Sequence, residues 1–225
     1  MNITLDARLS ALAALVGTCD RYADIGCDHG RLGAYLLKTG KVRRAILADI
    51  SGESLKKARR LISLLGLDER VDFRVGDGAQ VLDAPVDYVV IAGMGGALIS
   101  KIIREGREAL GNSRLILQPN VAAPELRRTL MECAYEINDE RVVRDGGRNY
   151  VILAARPGEA RYSERELIVG PVLLRDRPES LTPYANFRLR VAQKALRGAE
   201  KGGDAAQVTA LRHEIDIWEE VLKCL

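Results

Sequence analysis

The sequence predicts an α/β fold: an open, mainly parallel sheet of seven strands with helices on both faces, followed by a helical, coiled-coil-like hairpin. Three observations carry that expectation. Short β-branched runs alternate with amphipathic helical runs over the first two thirds of the chain. Glycines and aspartates collect where the strand-like runs end. Beyond about Arg156 the strand signals stop, and two long helical patterns meet at Gly202-Gly203.

Residues 3–17 place Leu5, Leu9, Leu12 and Val16 at helical spacing, with Arg8 on the other face. They predict an amphipathic helix that packs on, or lids, the sheet, with Gly17 as its stop. A strand then ends at Ile25, and the turn from Gly26 to Gly30 leads into the helical run Leu32–Leu37. Arg43–Asp49 reads as a second strand. Ser51 caps a helix to about Leu65, with Glu53 in its first turn and Gly66 closing it. The third strand, Val71–Val75, runs into Gly76-Asp77-Gly78. The fourth, Val86–Ile91, ends in Ala92-Gly-Met-Gly-Gly96, and a helix over 97–110 follows. Arg114–Leu117 is the fifth strand, before Gln118-Pro119-Asn120. Pro124 suits the first turn of a helix carrying Leu126, Leu130 and Met131. Runs 135–143 and 149–155 flank Asp145-Gly-Gly147 as a hairpin and add an antiparallel edge. Helices over 184–199 and 205–224 complete the chain. The second has Val208, Leu211, Ile215, Trp218 and Leu222 along one seam. The expected organisation is a sheet domain over 1–158 and a helical domain over 159–225.

Composition narrows the class. With 47% hydrophobic and 29% charged residues the chain reads as an ordinary globular protein. No apolar run is long enough to span a bilayer, and no secretory leader is expected. The four cysteines form no Cys-x-x-Cys pair, and there are only two histidines. No metal site is expected, and free thiols fit a reducing cytoplasm. A net charge of +3 permits a nucleic-acid partner without demanding one. No stable protein partner is evident, and a monomer or weak dimer is expected.

The chemistry gathers at the strand ends, where open sheets bind ligands. Asp24 and Asp28 lie in the first turn. Their charge would repel a pyrophosphate and suits a ligand with a cationic portion, such as the ammonium of S-adenosylmethionine. Asp49, after strand two, is placed to accept from both ribose hydroxyls; otherwise it is a helix-entry residue before Ser51. Asp77 is placed to accept from an adenine amino group, or is a simple turn aspartate. His29 either touches the substrate or the methionine end of the cofactor, or is a polar residue at a helix entrance. A nicotinamide enzyme would need Gly-x-Gly-x-x-Gly, which the spacing of Gly26 and Gly30 does not supply. Five β/α steps and a hairpin match the Rossmann-like plan of class I methyltransferases instead. Their usual acid-x-Gly-x-Gly-x-Gly turn appears here with Asp28 at the middle glycine. Basic clusters at Lys41/Arg43/Arg44, Lys56–Arg60, Arg127/Arg128 and Arg188/Arg190 suit an RNA backbone or plain solvation. Tyr150 and Tyr184 are the candidate stacking groups.

Ala23-Asp-Ile-Gly-x-Asp-His29, Gly76-Asp-Gly78, Ile91-Ala-Gly-Met-Gly-Gly-Ala97, Leu115-Ile-Leu-Gln-Pro-Asn120 and Val169-Gly-Pro171 together resemble the bacterial tRNA (adenine(22)-N1)-methyltransferase family, over nearly the whole chain. Asp28 is no departure from that family; Gly30 replaces a small residue often found there. The resemblance implies S-adenosyl-L-methionine as methyl donor, S-adenosyl-L-homocysteine as product, tRNA as substrate, and a tail that helps hold the tRNA. The Asn/Asp-Pro-Pro-Tyr motif of amino-group methyltransferases is missing, with Gly93-Met-Gly-Gly96 in its place. Ring N1 of adenine already carries an in-plane lone pair and needs positioning more than activation. Strand-end position and resemblance together give the expected cofactor contacts as Asp24, Gly26, Asp28, Gly30, Asp49, Ile50, Asp77, Gly78, Gly93 and Met94. Asp28, His29 and Asn120 are the expected catalytic residues. The competing expectations are a class I methyltransferase acting on another RNA or a small molecule, and a non-catalytic RNA-binding protein that kept the fold.

Overall fold

The computed structural model describes residues 3–225. Its strands are β1 (Cys19–Ile25), β2 (Val42–Asp49), β3 (Val71–Val75), β4 (Tyr88–Met94), β5 (Arg114–Pro119), β6 (Tyr135–Asp145) and β7 (Arg148–Pro157). They form one seven-stranded sheet in the order β3-β2-β1-β4-β5-β7-β6. The first five are parallel, and β7 enters antiparallel between β5 and β6. The chain divides into two units, Met1–Arg161 and Tyr162–Leu225.

In the first unit, α1 (Ala7–Leu15), α2 (Arg31–Lys38) and α3 (Gly52–Leu64) supply Leu12, Leu36, Leu37 and Ile62 to one apolar cluster. The sheet residues in that cluster are Tyr22, Leu47, Val90, Ile116 and Ile152, one face of five strands. On α4 (Gly96–Glu105) and α6 (Ala123–Glu132), which pack on each other, Ile99, Ile103, Leu126 and Leu130 are buried; α5 (Arg107–Leu110) comes directly after α4. Arg127 of α6 meets Glu140 of β6 at 2.8 Å, both side chains fully enclosed, which fixes helix against strand.

Several predicted boundaries move, each for a local reason. The first helix starts at Ala7, because the Asp6 carboxylate accepts from Leu9 N at 2.7 Å and caps it there. Of the expected apolar stripe, Leu12 and Val16 are fully buried. β4 runs on to Met94 through a bulge: Ala92 pairs with Gln118 and Met94 with Pro119, leaving Gly93 as the extra residue at φ +79°. The helix expected over 97–110 breaks at Gly106, where a Cβ would lie 2.4 Å from the Cβ of Ala79. The β6–β7 hairpin closes as read, with Gly146 and Gly147 both at positive φ between the paired Asp145 and Arg148.

The second unit contains α7 (Glu164–Val169), α8 (Pro171–Asp176), α9 (Leu181–Gly202) and α10 (Ala205–Lys223). Its two short helices were not expected. The longer two form the expected hairpin, turned by Gly203 at φ +72° and restarted by Asp204, which caps α10 through Gln207 N at 3.0 Å. Trp218 is fully buried on α10. Tyr184 meets its ring edge-on at 5.8 Å, and Arg188 lies over the ring while binding Glu214 at 2.7 Å. Tyr184 is therefore a buried packing group rather than an open stacking platform, and Arg188 is already paired.

Candidate functional site

The parallel strands β1 to β5 deliver their carboxyl ends to one side of the sheet, and the chain turns tightly there. After β1, Gly26 N and Cys27 N both donate to Ala48 O at the end of β2, at 2.8 and 3.0 Å. Gly26 has φ +74°, and a Cβ on it would sit 2.1 Å from Met94 Cε. Asp28 also lies in the left-handed region, at φ +48°. Its N–H is held by Asp49 Oδ2 at 3.1 Å, and its own carboxylate meets His29 Nδ1 at 2.6 Å. The other Asp49 oxygen accepts from Ser51 N at 2.8 Å. Asp49 thus ties two strand-end loops together while facing the cavity, so the helix-entry and ligand readings describe the same residue.

These loops surround a cavity of about 720 Å³, a size suited to a nucleoside-bearing ligand. Of the sequence-predicted residues, Asp24, Gly26, Asp28, His29, Asp49, Ile50, Asp77, Gly78, Gly93 and Met94 line it. Gly30 and Asn120 are not among the lining residues. Gly30 serves packing: at φ +66°, it approaches α3 so closely that a Cβ would lie 2.9 Å from the Cβ of Ala58. Asn120 Nδ2 donates to Gly93 O at 2.7 Å, and Asn120 Oδ1 accepts from Gln118 Nε2 at 3.0 Å.

Three lining or supporting residues went unassigned in the sequence. Gln118 is fully buried and its Oε1 accepts from both Gly93 N and Arg8 Nη1, at 3.2 and 3.1 Å. Arg8, expected on the outer face of α1, instead reaches into the cavity and lies over the Tyr150 ring at 5.6 Å. Leu98 of α4 is half exposed at the cavity wall. Helical periodicity separates Arg8 from the leucines but cannot tell solvent from a cavity, so only the unbalanced acids opposite it hinted at its place.

The electrostatics are dominated by carboxylates. Asp24 is 5% exposed, and burial pushes its carboxyl up to about 7. Asp49 raises it further, while the Tyr22 hydroxyl and Arg8 oppose the shift. Burial and the same acids raise the Cys27 thiol well above its usual range, so it stays neutral and unreactive. Among the described residues no cluster of three or more His, Cys, Asp or Glu is arranged to hold a metal ion. Nor is any described helix long and apolar enough to cross a membrane.

Comparison with known proteins agrees with this geometry. A family model described as a methyltransferase domain matches residues 5–153. The tRNA (adenine(22)-N(1))-methyltransferase of Bacillus subtilis (strain 168) is 35% identical over 230 aligned positions, covering 99% of this chain and 97% of that one. The crystal structure of the B. subtilis m1A22 tRNA methyltransferase TrmK superposes with a TM-score of 0.88 at 28% identity, covering 98% of this chain and 100% of the other. Streptococcus pneumoniae Sp1610 in complex with S-adenosyl-L-methionine gives a TM-score of 0.88 at 27% identity, covering 97% and 100%. With sequence and fold matched over nearly the full length of both chains, this chain belongs to the bacterial tRNA (adenine(22)-N1)-methyltransferase family.

Proposed function

We propose that the chain methylates ring nitrogen N1 of an adenine in tRNA, at nucleotide 22, with S-adenosyl-L-methionine as donor. The observation that carries the reading is the convergence of Asp24, Asp49 and Asp77, from three successive strand ends, on one cavity. The donor set fits that cofactor. Asp24 supplies a buried carboxylate for an ammonium, Asp49 an acceptor for ribose hydroxyls, and Asp77 an acceptor for the adenine amino group. Ile50, 72% exposed at the cavity wall, and Leu98 offer apolar surface to the flat faces of a purine. When bound, the cofactor supplies an electrophilic methyl group on a sulfonium.

The remaining work belongs to the protein. The target base must leave its stack to enter the site. The Gly93 bulge keeps that end of β4 free of side-chain bulk. Asn120, with one Nδ2 hydrogen given to Gly93 O, retains a second for the base edge. Asp28 and His29, paired at the cavity mouth, face the positive charge that develops on the methylated base and can take a proton from its amino group. The cytoplasm, where tRNA resides, is the matching compartment.

The test is transfer of labelled methyl from S-adenosyl-L-methionine to unmodified bacterial tRNA, with nucleosides identified by mass spectrometry. The expected product is 1-methyladenosine at a single position. A different methylated nucleoside, or none, would overturn the reading. In the same assay, Asp28→Ala and His29→Ala are expected to lower turnover at saturating cofactor; unchanged turnover in both would remove them from the mechanism.

A further inference from the structure

Three residues lining the cavity carry cationic or potentially cationic side chains: Arg8, His29 and Arg31. His29 is paired with Asp28 at 2.6 Å, and Arg31 Nη2 donates to Thr4 O at 2.6 Å. Arg8 stands apart. It is half buried, and its single protein hydrogen bond, from Nη1, goes to the neutral amide of Gln118 at 3.1 Å. No described carboxylate lies within ion-pair distance of it. Four of its five N–H groups are left without a protein partner among the described residues. The Tyr150 ring beneath and the buried Gln118 beside it hold the guanidinium in place. A fixed cation facing an acidic cavity, yet paired with none of its acids, is built for an anion brought by a ligand.

The position says which anion. Arg8 Nη1 lies 3.9 Å from where a Cβ on Gly93 would stand, and Arg8 is close enough to Asp24 to act on its carboxyl. Asp24 is the buried acid that suits an ammonium. In an α-amino acid the ammonium and the carboxylate sit on one carbon. A site that holds the ammonium at Asp24 therefore needs a cation beside it, and Arg8 is that neighbour. Resting on the proposed reading of the cavity as a cofactor site, we infer that Arg8 binds the α-carboxylate of the methionine portion of S-adenosyl-L-methionine, forming with Asp24 a zwitterion clamp. The first helix is thus part of the cofactor site, and the clamp selects cofactors that keep their amino-acid end intact.

The test compares two compounds on the full chain by calorimetry: S-adenosyl-L-methionine and its decarboxylated form, which keeps the sulfonium, the amine and the adenosine. Arg8→Ala is expected to weaken the first by roughly 10- to 100-fold. It should leave the second unweakened or bind it more tightly, because a like charge next to its amine is gone. Retained binding of the decarboxylated compound is also the folding control. If Arg8→Ala does not fold, Arg8→Gln keeps the Gln118 contact and is expected to give the same inversion. Equal weakening of both compounds, or no change in their ratio, would overturn the assignment. So would a raised KM for tRNA with the ratio intact, which would make Arg8 a phosphate contact. If neither compound binds the unaltered chain, the cofactor reading fails, and this one with it.

Discussion

Asp24 shows how one residue trades stability for binding. Its buried carboxyl titrates near 7, against about 3.9 for an exposed aspartate. Between those values the folded chain holds a proton that the unfolded chain has lost. Stability therefore falls as pH rises from about 4 to 7, and the cost persists above 7. Asp24→Asn removes that cost and is expected to raise the melting temperature at pH 8, by up to a few kcal/mol of stability. The same change should abolish most cofactor affinity, since a neutral amide cannot pair with an ammonium. In the unaltered chain, cofactor affinity should fall as pH drops below about 7, by at most tenfold per unit, with proton release on binding near neutrality. Calorimetry in buffers of different ionisation enthalpy reads both effects; affinity that is flat from pH 6 to 8 would separate Asp24 from the ligand.

Among the elements, the ends of strands carried their own signals, and the turns after them were readable for that reason. Asp24, Asp49, Asp77 and the glycine turns gather at one cavity because parallel strands share a carboxyl end. The unreadable features depend on contacts distant in sequence. The Gly93 bulge exists only against Gln118 and Pro119, and the break at Gly106 only against Ala79. Helices α7 and α8 span six residues each, too short for periodicity to show. Asn120 was expected at the site itself, but its position rests on Gly93 and Gln118, which a linear reading does not bring together. On α9, helical spacing aligns Phe187, Arg190, Val191, Lys194 and Arg197, all at least partly exposed. Arg190, Lys194 and Arg197 have no ion-pair partner among the described residues, unlike the neighbouring Arg188. This stripe is a fitting contact for a tRNA backbone. Lys194→Glu with Arg197→Glu is expected to raise KM for tRNA severalfold and flatten its salt dependence by about one unit of slope for each phosphate no longer neutralised. Cofactor affinity should stay constant; an unchanged KM for tRNA would assign the stripe to solvent.

At the scale of the molecule, the two units give separable expectations. The sheet unit contains every lining residue of the cavity. A chain ending at Arg161 is accordingly expected to keep cofactor affinity within a few-fold while losing most affinity for tRNA, as measured by filter binding. Loss of cofactor binding in a chain that still shows a cooperative melt would contradict that division. The strand order has a separate consequence for synthesis. β7 is made after β6 but sits inside it, next to β5. A nascent chain that has emerged only as far as the hairpin turn thus has a bare edge on β5, and a strand, β6, with no neighbour to join. The last two strands can enter the sheet only as a pair, once Pro157 has cleared the ribosome. Until then the exposed edge of β5 is the point at which two unfinished chains would pair with each other.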